Sequence, residues 1–175
     1  MPVFFMKVSS IPYLVLALLA ALYLAFVAGS ASLLPDRVAI HFDAAGHANN
    51  WMDRASVLIF FGALGVGMPL FFIACALGIG FIPDRFVNLP HREYWLAPDR
   101  RAHTRAYVSG QMAWMGCLSL LFFAGNYGLT IQANHLTPPH LPMNLFLPLV
   151  AGFLAATAVW TVVFIRHFAG SKMEK

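Results

Sequence analysis

Long uncharged runs alternate with short polar ones along this chain, and that alternation predicts its architecture. From Val8 to Pro35 there is no Lys, Arg, Asp or Glu, and the stretch IPYLVLALLAALYLAFVAGSASLL within it exceeds the roughly 20 residues that cross a hydrocarbon core. A second uncharged run lies between Arg54 and Asp84. The third, from Ala106 to Ile165, is 60 residues long and too long for one span. NHLTPPHLPMN, Asn134 to Asn144, divides it with three prolines. The pattern therefore predicts an all-α integral membrane protein, a single domain over 1–175 with four transmembrane helices at approximately 11–34, 55–82, 106–133 and 145–168. Loops at 35–54 and 134–144 fall on one side of the membrane and a loop at 83–105 on the other.

Inside the spans, small and polar residues mark candidate contacts. AGSAS, at the end of the first run, has the small residues of a signal-peptidase site, but the apolar region is longer than a signal peptide's, so an uncleaved first span is expected. Ala17, Ala21 and Ala25 recur every four positions, as a close-packing stripe or as lipid-facing alanines. Gly62, Gly65 and Gly67 precede Pro69, where a bend or close helix contact is expected, with packing the favoured role. Asn126, Tyr127, Thr130 and Gln132 lie near the end of the third span and could line a shallow cavity. Gly152, Ala155, Ala156 and Trp160 suggest a tightly packed face on the fourth. Cys75 and Cys117 read as buried small hydrophobes.

The polar segment LPDRVAIHFDAAGHANNWMDR, Leu34 to Arg54, is the most distinctive in the chain. Val38, Ile40 and Phe42 alternate with Ala39, His41 and Asp43, which predicts a short extended piece with His41 and Asp43 on one face. AAGHANN breaks that pattern, with Gly46, Asn49 and Asn50 suited to turns. Trp51 is placed as an interfacial anchor and Asp53 as the cap of the next helix. In the loop Asp84 to Arg105, Tyr94 and Trp95 are expected to anchor at the headgroup level, and Pro98–Asp99 to begin the third span's helix. Its arginines, Arg92 and Arg101 among them, could attract anionic lipid.

Composition agrees with the pattern. The chain is 60% hydrophobic and 10% charged, whereas soluble domains carry roughly 25% charged residues. The net charge of +4 comes from basic residues beside predicted spans, which membrane topology explains without nucleic acid. Nine of the 11 Lys and Arg fall in the N-terminal arm, the loop at 83–105 and the C-terminal tail. The positive-inside rule then places both termini in the cytoplasm and the other two loops outside.

That assignment gathers His41, Asp43, His47, His135 and His140 on the outer side, where imidazoles and a carboxylate could ligate zinc or copper if the two outer loops pack together. The spacing matches no specific metal motif, and no cofactor is expected otherwise. There is no Gly-rich phosphate loop, no HExxH and no recognisable nucleophile arrangement. The spans also lack the carboxylates of a proton-driven transporter.

Leu34, Pro35, Ile40, His41, Gly46 and Trp51, followed by the basic Arg54, resemble the signature of the DUF1648 family of bacterial membrane proteins. In that family such a segment joins the first two spans. NLPHREYWLAPDRR, Asn88 to Arg101, is similar to the family's cytoplasmic segment. The resemblance implies a distant relation to SdpI-like immunity proteins, which protect cells from a secreted toxic peptide and can hold a repressor at the membrane. Those proteins have spans that this chain lacks, and the family assigns no catalytic residue. The expected function is that of a non-catalytic protein of the bacterial inner membrane, an immunity-like, sensing or accessory subunit. Its expected binding surfaces are Pro35, His41, Asp43, Gly46 and Trp51 outside and Arg92, Tyr94, Trp95 and Arg101 inside. Expected partners are membrane lipids, another membrane protein or a secreted peptide. A metal-binding protein and a membrane enzyme acting on a lipid or quinone are the alternatives.

Overall fold

The structure, a computed structural model, describes residues 10–170. Lys7 of the N-terminal arm and Lys172 and Lys175 of the tail, which entered the charge count, lie outside the described residues. In chain order the elements are α1 (Ile11–Gly29), β1 (Arg37–Phe42), β2 (Ala48–Asp53), α2 (Arg54–Gly78), the one-turn α3 (Arg92–Trp95), α4 (Arg101–Asn134) and α5 (Met143–Ala169). Helices α1, α2, α4 and α5 are each long and apolar enough to cross a membrane. The chain is a multi-pass membrane protein.

Local chemistry sets the helix ends. Pro12 sits in the first turn of α1, where a missing amide donor costs nothing. The Ser30 hydroxyl closes the other end of α1 by donating to the Phe26 carbonyl at 2.6 Å. Asp53 caps α2 as its position predicted, accepting from the Ser56 amide at 2.9 Å and the Ser56 hydroxyl at 2.6 Å. Helix α4 begins at Arg101, after a turn through Pro98 and Asp99 and not at those residues. It has 34 residues, which at 1.5 Å per residue is about 51 Å. That exceeds the roughly 30 Å of a hydrocarbon core, so α4 carries side chains beyond the apolar layer at each end.

The core lies among α1, α2 and α4, centred on Leu16, Tyr23, Val57, Phe61, Cys117 and Tyr127. Lipid is as apolar as leucine, so helices associate there by close packing and interhelical hydrogen bonds. Gly65 supplies the closest approach: the Tyr23 ring fills the space a Cβ would need, its Cδ1 only 2.5 Å from that position. Gly116 receives Leu16 and Phe72 in the same way. Tyr13 and Ser109 hydroxyls meet at 2.7 Å, and Ser109 also donates to the Ala76 carbonyl, which links three helices. The Tyr127 hydroxyl lies 3.0 Å from that of Ser30 and donates to the Val27 carbonyl. It is fully buried, so it lines no cavity.

Several expected packing surfaces face outward. Ala17, Ala21 and Ala25 are exposed to the lipid side, as are Gly152 and Ala155 of α5. Of the three glycines before Pro69 only Gly65 meets a neighbour; Gly62 and Gly67 face open space, and α2 runs through Pro69 unbroken. Aromatic faces fasten α5 to α4, together with Leu149 seated against Gly125. Phe153 stacks on Phe122 at 4.4 Å, the Trp160 indole donates to Gln111 at 2.8 Å, and His167 stacks on Tyr107 at 3.9 Å. Cys75 and Cys117 are free thiols.

Asp84 ties down the segment between α2 and α4, pairing with Arg101 at 3.0 Å and Arg105 at 2.8 Å. Arg105 also donates to the carbonyls of Gly80 and Ile82 and so closes the end of α2. Trp95 points inward. Its indole donates to the Phe168 carbonyl at 3.0 Å and its ring stacks on His167, so the side chain holds α5.

The Gly65 contact yields a paired prediction. Gly65→Ala drives a methyl group into a packed ring and is expected to lower stability by about 1–3 kcal/mol. Gly67→Ala, which meets nothing, is expected to be neutral or slightly stabilising. Thermal unfolding in detergent checks both, and equal effects at the two positions would remove Gly65 as the helix contact.

Candidate functional site

The loop between α1 and α2 folds as a two-stranded antiparallel ribbon laid across one end of the bundle. Arg37 pairs with Asp53, Val38 with Met52 and Ala39 with Trp51; the register then shifts near His41, which pairs with Asn50. Asn49 and Asn50 therefore belong to a strand, and the turn falls earlier, over Asp43–Gly46. The register shift also breaks the expected alternation. Val38 and Ala39 are neighbours in sequence yet both are 0% exposed, while Asp43 lies beyond the strand.

Burial of Ala39 follows from what its backbone meets. Asn134, the last residue of α4, presents its carboxamide edge-on: the Ala39 amide donates to Oδ1 at 2.7 Å, and Nδ2 donates to the Ala39 carbonyl at 2.9 Å. One side chain thus stands in for a third strand at this position, satisfying both backbone groups of a residue closed off from water. Nδ2 also donates to the Thr130 carbonyl at 2.8 Å, which fixes its direction.

Two further attachments hold the ribbon. At its base, Arg54 pairs with Asp36 at 2.7 Å, its amide donates to the Asp36 carbonyl, and its side chain reaches the Pro35 carbonyl at 3.4 Å. At its tip, Asp43 accepts from the amides of Ala45 and His47, each at 2.9 Å. The His47 amide, ahead of the Ala45 amide and the His47 ring, holds the Asp43 carboxyl below the usual carboxylate range. Gly46 is left-handed at φ 90°, and a Cβ there would lie 2.8 Å from the Leu141 carbonyl and 3.0 Å from the His140 ring. Only glycine fits. The Gly46 carbonyl accepts from the Leu141 amide at 2.9 Å, so the tip of the ribbon rests on the segment joining α4 to α5.

The two loops therefore do pack together, and the five candidate ligands divide. His47 and His140 meet edge to face with centroids 5.3 Å apart, and His47 Nδ1 lies 3.5 Å from Asp43. His41 Nδ1 instead bonds Asn49 Oδ1, and His135 Nε2 lies 3.0 Å from the Leu33 carbonyl. Among the described residues no group of three or more His, Cys, Asp or Glu is placed to hold a metal ion. Trp51 is partly exposed, with the Arg37 guanidinium 5.7 Å above its ring. At the opposite end of the bundle Arg101 is engaged by Asp84 and Trp95 by α5. Arg92 donates to the Arg85 carbonyl, and the exposed Tyr94 lies under Arg100 at 4.0 Å.

Beneath the ribbon are two cavities. A cleft of about 410 Å³ opens between His41–Ala44 and the ends of α4 and α5, and reaches Asn126 and Thr130. An apolar pocket of about 170 Å³ lies under Met52, against Val57, Phe60 and Phe61. Ile40 and Thr130 line both. The sequence singled out Asn126 and Thr130 as cavity residues but passed over Asn134, which looked like the start of a proline-rich loop.

Membrane-spanning helices with a ribbon clamped over one end define the structural class, and the match to known proteins narrows it. Residues 15–66 match the family described as "Domain of unknown function (DUF1648)". The matched segment covers most of α1, the ribbon and the first half of α2. Asn88 to Arg101 lies outside the matched region. No curated protein and no solved structure matches the chain.

Two predictions follow from these attachments. Asn134→Leu keeps the branching of the side chain but leaves the Ala39 amide and carbonyl without partners, at about 1–3 kcal/mol for each buried group. Hydrogen exchange at Ala39 is expected to accelerate at least about tenfold, and unchanged protection would rule out the bridge. Asp43 has a lowered folded pKa, so its contribution to the tip is complete above the ordinary carboxylate value of roughly 3.9 and is lost as pH falls through the lowered value. Protection of the His47 amide should fall in that acidic range in the wild type and show no such step in Asp43→Asn.

Proposed function

We propose that the chain is a non-catalytic protein of the bacterial inner membrane, a sensing or immunity-like subunit that engages a secreted peptide or another membrane protein through the ribbon. The observation that carries this reading is the contrast between the two strands. β1 is pinned to the bundle by Asn134, while every residue of β2 after Ala48 is exposed. A rigid ribbon with one free strand is suited to adding an extended peptide at its edge, where main-chain hydrogen bonds supply affinity. The resemblance to immunity proteins that meet a secreted peptide points the same way. Both termini lie in the cytoplasm in this reading, so that the ribbon faces outward; the arginines about Asp84 support that orientation.

Photo-crosslinking in cells from Asn49 and Asn50 tests the partner. The expected product is a discrete peptide or membrane-protein adduct, identified by mass spectrometry and absent from a probe at the lipid-facing Leu18. Lipid adducts alone at Asn49 and Asn50 would overturn the reading. Topology has its own test: a periplasm-dependent reporter should be active at Ala45 and inactive after Gly170, and the reverse pattern would remove the ribbon's access to secreted partners.

A second reading, zinc or copper binding, is favoured by one contact, the His47–His140 pair beside Asp43. Two imidazoles and one carboxylate would make an incomplete tetrahedral set. Elemental analysis of purified protein is expected to give no stoichiometric metal. Near-stoichiometric zinc or copper that disappears in His47→Ala, His140→Ala would establish a metal centre instead. For an enzyme acting on lipid or quinone, the carboxylate nearest the cleft is Asp43, already committed to two backbone amides; this supports a binding role over catalysis.

A further inference from the structure

We propose that the two cavities beneath the ribbon form one binding site for an uncharged, single-chain amphiphile from the adjoining leaflet. Its hydroxyl head would sit by His41, Asn126 and Thr130, and its chain would pass Ile40 towards Met52 and Phe60. This goes beyond the peptide reading, which concerns the exposed strand and not the space under it.

The larger cleft, at about 410 Å³, is within the range of roughly 300–1,000 Å³ usual for small-molecule sites. It lies at the ribbon end of α4 and α5, where the membrane gives way to headgroups, and its walls change character accordingly. Leu129, Met143 and Phe146 form apolar walls, while Asn126, Thr130 and His41 bring polar atoms. Those atoms are directed. Asn126 Nδ2 donates to the Phe122 carbonyl and the Thr130 hydroxyl donates to the Asn126 carbonyl, which leaves Asn126 Oδ1 and the Thr130 oxygen as acceptors. His41 is held through Nδ1 by Asn49, with Nε2 left over. Because Asn49 Oδ1 accepts from Nδ1–H, the neutral ring offers Nε2 as a third acceptor, and three acceptors suit a head that donates hydrogen bonds, a hydroxyl.

Charge decides against an anionic head. No Lys or Arg lines either cavity, and the one carboxylate in the walls, Asp43, already receives two backbone amides. A phosphate or carboxylate head would be repelled without compensation. The smaller pocket explains the tail. It is apolar and, at about 170 Å³, less than half the size of the cleft. It takes the end of one chain and not two. The two spaces adjoin at Ile40 and Thr130, which line both.

The test uses the full chain in phosphatidylcholine nanodiscs and a monoacylglycerol carrying a photoactivatable group on its chain. Label is expected to concentrate on segments 40–52 and 126–146, to be displaced by unlabelled monoacylglycerol, and to drop about tenfold in Thr130→Trp, which fills the shared wall. Met143→Trp, at the cleft rim, gives a second filled variant, and protection of the Ala39 amide verifies that each variant retains the ribbon. Label spread evenly over lipid-facing residues of all four helices, or unchanged in both filled variants, would overturn the site. Equal labelling by a free fatty acid probe of the same chain would overturn the uncharged head. Crosslinks from Asn49 and Asn50 report on the peptide reading separately, so either idea can fail alone.

Discussion

The bond pair between the Asn134 carboxamide and the Ala39 backbone is the constraint on which the ribbon end of this protein depends. A two-stranded ribbon is marginal by itself in water, and its first strand here is pressed against a helix end where water cannot satisfy its amides. Asn134 supplies one donor and one acceptor in a plane, the pattern a neighbouring strand would offer. The sheet therefore ends on a helix, leaving β1 covered and β2 open. Arg54 at the base and Gly46 at the tip fix the remaining freedom, so three separate contacts orient a six-residue strand exposed at every position after Ala48.

Helix α4 makes this possible because it is longer than the membrane requires. One end reaches the ribbon through Asn134 and the other reaches Asp84 through Arg101 and Arg105. Between them Gly116 and Ala113 let α1 and α2 approach closely, while aromatic side chains fasten α5 from the other side. The two cavities arise from the same arrangement: the ribbon bridges the bundle end without filling it, and Ile40 drops only part of the way into the gap.

How much of this could be read from the sequence depended on the physics behind each feature. The spans were legible because excluding charge from hydrocarbon leaves uninterrupted runs, and Asp53 was legible because a helix cap is local. The ribbon was half legible: alternation over Val38–Phe42 marked one strand, but Asn49 and Asn50 are common turn residues, and only pairing with β1 makes them a strand. Packing within the membrane was the least legible. Every face of a span is apolar, so periodicity does not distinguish the buried Gly65 from the exposed Gly67, or the exposed Ala21 from the buried Ala113. Asn134 and Trp95 owe their roles to residues 95 and 73 positions away, and no local pattern announces either.

The central claim is that the ribbon is fixed to the bundle rather than tethered to it, and the most direct measurement is a pulsed electron resonance distance between spin labels at Asn50 and Leu145 in lipid nanodiscs. Both positions are exposed, and neither is part of an attachment. A single narrow distance distribution in the absence of any partner is the result expected of a pinned ribbon. A broad distribution would show that the ribbon moves freely over the helix ends and would contradict the claim.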